Sequence, residues 1–187
     1  MKSLITLLLL IFPFAAGVCQ PQVISIDDFR NIYFRKNGSF SASVKLAQIT
    51  RFERSTNWSD INSGLQIPEG PTCELQENSV TVCTFSDDGL RIVYTDHSDA
   101  FRLMDLDITS GSHDFFFQGL SLKVGDDISR VAQRFPEAYE KRKAVPSSNG
   151  AVMHVLMHVE YITMSISFLY DPDTLKITEI SVLSPAV

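Results

Sequence analysis

Three groupings of residues have the side chains that chemistry uses. Asp171 and Asp173 stand two apart in LYDPDTLKITEISV, residues 169–182, as the first ligands of a calcium loop would. Asp96-His97-Ser98-Asp99 contains the types of a hydrolytic triad. His154 and His158 stand four apart, the spacing of two zinc ligands on one helix face, and His158 with Glu160 could contribute two ligands.

Each grouping fails on a physical count. The Asp171 stretch lacks the Gly and the distal Glu of a calcium loop. Neighbours on one short turn cannot aim at one another in the relay that a triad needs. The two histidines fall in an alternating, strand-like stretch, where four residues span roughly 13 Å, too far for one ion. No Gly-rich phosphate loop, Gly-x-Ser-x-Gly elbow or zinc-protease motif is present. The expectation is therefore no catalytic residue, no metal and no cofactor. A hydrolase of unrecognised type would need a cleft built around His97, His113 or the His158 and Glu160 pair.

The elements that position these residues are set by a repeat. LRIVYTDHSDAFRLMDLDI, residues 90–108, aligns without a gap on MSISFLYDPDTLKITEISV, residues 164–182, at an offset of 74 (164 − 90). Leu90 meets Met164, Ile92 meets Ile166, Tyr94 meets Phe168, Asp99 meets Asp173 and Arg102 meets Lys176. Each copy has apolar residues at every second position, an Asp-rich turn and a second apolar run, which is the pattern of a β-hairpin. In both second strands the alternation slips by one residue, at Leu103 to Leu106 and at Ile177 to Ile180. Such a slip predicts a β-bulge, near Met104-Asp105 and near Thr178-Glu179. The offset also places a strand before each hairpin, over residues 80–85 and 153–159, with reversals at residues 86–89 and 160–163.

Two helices are expected ahead of these strands. In GDDISRVAQRFPEAY, Asp126 or Asp127 can cap a helix whose buried stripe is Ile128, Val131, Ala132 and Phe135, stopped by Pro136. In SIDDFRNIYFRKNG, Ser25 is the cap, Ile26, Phe29, Ile32 and Tyr33 the stripe, and Asn37-Gly38 the stop. Residues 39–55 fit helix or strand, and Trp58 is read into a polar loop. Phe115-Phe116-Phe117 suits a core or edge strand, with an exposed contact patch as the alternative. The sum is an α+β fold of two similar halves, 20–109 and 110–187, in one compact unit. Each half is short helical material followed by an antiparallel meander, with the helices on one sheet face.

Residues 1–19 read as a secretory signal: Lys2, an apolar run from Leu4 to Phe14, then Ala15, Ala16 and Gly17. Cleavage falls after Gly17 or Cys19. A lipid on Cys19 is disfavoured because Val18 stands where a lipobox needs a small residue. The apolar run is short for a bilayer span, and no other membrane segment is expected. Export leaves Cys73 and Cys83 as a disulfide pair clipping a hairpin whose turn is at residues 77–79. Asn37 and Asn57 head N-glycosylation triplets, which suit surface segments. The net charge of −6 argues against nucleic acid as a partner.

The phrase LKVGDDISRVAQRFP followed by the YDPDTLKITEI hairpin resembles two related bacterial envelope families. One is the tandem-repeat family of β-lactamase inhibitory protein, the other the small outer-membrane-assembly lipoproteins with a single unit. The resemblance covers residues 120–183 and, in part, 72–109. It implies a secreted, non-catalytic binding module with an exposed sheet face, periplasmic or extracellular, whose partner is an envelope or extracellular protein. If Leu90, Ile92 and Tyr94 face the helices, the other face carries Arg91, Thr95, Ser165 and Ser167, followed by Arg102 and Lys176 on the second strands. These six are the candidate binding residues. An envelope scaffold or assembly accessory is the alternative function.

Overall fold

The computed structural model describes residues 26–37, 43–76, 80–146, 150–159 and 162–184. The expectations placed on the export signal, Cys19, Ser25, Gly38, Glu160 and the 77–79 turn lie outside these residues.

The chain opens with α1 (Ile26–Arg30), β1 (Tyr33–Lys36), β2 (Val44–Lys45), α2 (Leu46–Ile49), β3 (Arg51–Glu53) and α3 (Trp58–Leu65). A first meander follows: β4 (Thr72–Leu75), β5 (Thr81–Asp87), β6 (Leu90–Asp96) and β7 (Ala100–Ile108). Then come β8 (His113–Phe117), β9 (Leu120–Leu122), α4 (Ser129–Arg134) and α5 (Pro136–Glu140). A second meander closes the fold: β10 (Lys143–Val145), β11 (Gly150–Val159), β12 (Ile162–Tyr170) and β13 (Ile177–Leu183). The architecture is α+β and the pairings are antiparallel.

The large sheet has the order β10-β11-β12-β13-β7-β6-β5-β4, with β3 pairing a further stretch of β7. The order is a palindrome, each meander contributing its four strands in mirror sequence about the seam between β7 and β13. At the seam Ile180 lies opposite Ile108, Val182 opposite Leu106, and Asp107 opposite Ser181. Asp107 and Ser181 are 74 positions apart, so exchanging equivalent positions leaves the register unchanged. Both anticipated bulges are present, with their extra residues 74 apart on β7 and β13, while the facing breaks on β6 and β12 lie 76 apart (169 − 93). Val93 pairs with Asp105 but Tyr94 with Leu103, which leaves Met104 as the extra residue. Leu169 pairs with Glu179 but Tyr170 with Ile177, which leaves Thr178. Just beyond each bulge the same backbone bond recurs, Leu103 N–H donating to Thr50 and Ile177 N–H to Asp126.

A second sheet of four strands, β2-β1-β8-β9, was not anticipated. Its strand β1 corrects the long helix expected over residues 26–36. Phe29 and Ile32 are buried as foreseen, but Tyr33 begins a strand and stacks on Phe116 of β8, ring centroids 4.3 Å apart. Residues 39–55 hold two short strands and a helix turn between them where described, and Trp58 starts α3 instead of lying in a loop. Its indole packs on Phe101 at 4.5 Å and Phe85 at 5.8 Å.

The second helix region matches its stripe. Ile128, Val131 and Phe135 are buried, and Asp127 Oδ1 accepts the Ser129 N–H at 2.8 Å. Pro136 ends α4 and also begins α5, because its fixed φ suits a first helical position. Phe115 and Phe117 are core, and Phe117 reaches Phe135 and Phe168. Helices and small sheet together thus cover one face of the large sheet over a single apolar cluster.

Candidate functional site: the open sheet face

Strand alternation sends Phe85, Ile92, Tyr94, Leu106, Ile180, Ile166, Phe168, Met153 and Val155 to the covered face. The intervening residues form the opposite face, over which no element packs among the described residues. Register places one row of this face as His154, Ser167, Ser181, Asp107, Arg91 and Ser86, running from β11 to β5. The neighbouring row is Leu156, Ser165, Leu183, Asp105, Val93 and Thr84.

The polar row is paired within itself and with the rows beside it. Arg91 Nη1 donates to Asp107 Oδ2 at 2.6 Å and to Asp105 Oδ2 at 3.0 Å. Ser181 Oγ donates to Glu179 Oε1 at 2.6 Å, and His154 Nδ1 lies 2.8 Å from Ser167 Oγ. Burial first, and Asp107 second, push the Asp105 carboxyl above the ordinary carboxylate range, against the pull of Arg91. Asp105 Oδ1 is shut off from solvent without a hydrogen bond. Burial works against the Arg91 charge, yet its bonds to Asp107 and Asp105 raise its pKa.

In the neighbouring row Val93 is buried, but the apolar side chains toward β11 and β13 are exposed. Leu183 is 44 % exposed, Met104 at the adjoining bulge 42 % and Leu156 37 %. They are three of the five most exposed large apolar side chains among the described residues.

The six candidate binding residues do not form one cluster. Arg91, Ser165 and Ser167 share the centre of the open face. Ser167 is a correction within that set: it is buried at 7 % exposure, shaded between longer neighbours and bonded to His154, so it offers little to a partner. Thr95 and Arg102 lie opposite each other at the β6–β7 corner, where Arg102 pairs with Asp99 at 3.4 Å. Asp99 also takes Arg51 at 2.9 Å, and Asp96 takes Arg54 at 2.9 Å. Lys176 sits at the other hairpin, bridged through its backbone to Asp127 beside α4. What the sequence reading missed is the carboxylate set, Asp105, Asp107 and Glu179. Their types are plain in the sequence, but which of them meets Arg91 is set by strand register.

The catalytic and metal candidates are scattered. His97 Nε2 lies 3.1 Å from Thr95 Oγ1, and His113, the first residue of β8 in the small sheet, is buried at 2 % exposure. His158 is in β11, its side chain outside the described residues. Among the described residues no three His, Cys, Asp or Glu side chains converge on a metal position. Asp171 Oδ1 accepts the N–H groups of Asp173 at 2.8 Å and Thr174 at 3.3 Å, so the Asp pair is a hairpin corner.

Cys73 and Cys83 lie opposite each other on β4 and β5 and are joined as a disulfide. Among the described residues no helix is long and apolar enough to cross a membrane. Compared with known proteins, the chain matches no family model, no curated protein and no solved structure.

Proposed function

We propose that the protein is an exported, non-catalytic binding module, built as two similar halves, that engages another envelope or extracellular protein through the open face of its large sheet. The observation that carries the reading is the pairing of exposed Leu156, Leu183 and Met104 with a charged row on a face that no described element covers. Interfaces characteristically combine an apolar centre with a polar surround. The palindromic strand order and the shared bulges support the two-halves reading and, with it, the likeness to the inhibitory-protein family. The disulfide suits an oxidising compartment.

The test is affinity capture by the mature protein from the envelope and secreted fractions of its host, beside a Leu156→Asp, Leu183→Asp variant. A defined partner retained by the parent and lost by the variant supports the reading. Equal capture by both removes the face from the function. The scaffold alternative predicts firm membrane association with lipid on Cys19, which cell fractionation and mass spectrometry of the mature end decide.

A further inference from the structure

We propose that the open face selects a cationic segment of its partner, one that presents Lys or Arg beside an apolar side chain. The inference rests on the binding-face reading above and deepens it. At the centre of the sheet Asp105 and Asp107 share one guanidinium, Arg91, and Glu179 is bonded to Ser181, so three carboxylates stand against one cation there and the centre keeps an excess of negative charge, with Lys143 at the β10 edge of the same face. Arg91 neutralises one of the three, and the cations Arg102, Arg51 and Arg54 are spent on Asp99 and Asp96 at the hairpin corner. Asp105 Oδ1 is desolvated and has no hydrogen-bond donor among the described residues.

Beside it on the same face, Leu183 pairs in register with Asp105, and Leu156 lies two strands further on. The partner that fits this alternation carries a cation and an apolar side chain at neighbouring positions. An acidic or uniformly polar segment would meet like charge or leave the leucines uncovered. Arg91 acts as the stand-in for the partner's cation: it holds the two aspartates in place until a stronger donor set arrives.

The experiment uses the mature, disulfide-intact protein labelled with ¹⁵N and two blocked octapeptides, one alternating Leu and Lys, the other alternating Leu and Glu. The Leu-Lys peptide should shift amides of β6, β7 and β13 around Asp107 and Glu179, with affinity falling as salt is raised. Asp107→Asn combined with Glu179→Gln should weaken it about fivefold, the product of two modest surface charge contacts. Arg91→Gln should strengthen it, whereas Glu69→Gln, away from the face, should leave it unchanged. Equal binding of both peptides at the face, or no effect of the carboxylate substitutions, overturns the charge selection while leaving the face as a binding surface. Shifts confined to other parts of the protein for both peptides overturn the face reading as well.

Discussion

A methyl group added at Gly89 would lie 2.5 Å from the Cβ of Ser110, in a backbone with φ of +81°. The turn Asp88-Gly89 needs positive φ at both residues, and Gly89 O also accepts the Thr109 N–H at 2.7 Å, so neither the backbone nor Ser110 is free to yield. Gly89→Ala should therefore lower stability by roughly 2–4 kcal/mol, the sum of the left-handed penalty and overpacking. Gly119→Ala, at φ of +77° with nothing near its Cβ, should lose only about 1–2 kcal/mol. Urea midpoints of the two variants decide whether the contact with Ser110 matters. His113 gives a second prediction. Burial, and then Lys36, hold its imidazole below the ordinary value against the pull of Asp87, Asp88 and Asp114. The folded state thus resists a proton that the unfolded chain accepts at about pH 6.5. Stability is full above that pH and falls as pH drops through it, down to the depressed folded value. Urea titrations at pH 7.5 and 5.5 should show the loss, and His113→Gln should reduce it.

At the scale of elements, β4 hangs on the large sheet by one edge, its four residues all exposed and Leu75 the most exposed large apolar side chain described. Its ladder to β5 is short, so the Cys73–Cys83 bond opposite the middle of the pairing does much of the holding. Replacing both cysteines by serine should cost roughly 2–3 kcal/mol on the chain-entropy account. Hydrogen exchange should then rise in β4 and at the freed edge of β5, with β6 and β7 unchanged; a uniform rise would mean the bond anchors the whole fold. How far such elements could be read from the sequence depended on the range of the forces that make them. The hairpins, their bulges at Met104 and Thr178 and the stripe Ile128, Val131, Phe135 are written in local periodicity and were legible. Strand β1 was not, since Phe29 and Ile32 mimic a helical stripe, and its true partner, β8, lies about 80 residues further on, where only tertiary pairing decides. The cationic residues were legible as types, but not the carboxylates that occupy them, because Arg91 meets Asp107 only through strand register.

For the whole molecule, the question is whether two similar meanders behave as two units or one. The seam favours one. Ile108, Leu106, Ile180 and Val182 are all fully buried at it, and the apolar cluster runs without a break from Phe85 through the seam to Met153. The small sheet binds the same way, since β1 precedes the first meander and β8 precedes the second. A substitution in one meander should then be felt in the other. Trp58, the sole tryptophan, packs on Phe85 and Phe101 and reports on the first meander alone, while far-UV circular dichroism sums over both. Ile180→Ala, in the second meander, removes a buried side chain and should cost about 2–5 kcal/mol. If the seam couples the halves, the urea midpoint followed by Trp58 fluorescence falls by the same amount as the midpoint followed by dichroism. A Trp58 midpoint that stays put while dichroism shows an earlier step would mean that the meanders fold separately, and that the open face is two patches held side by side instead of one rigid surface.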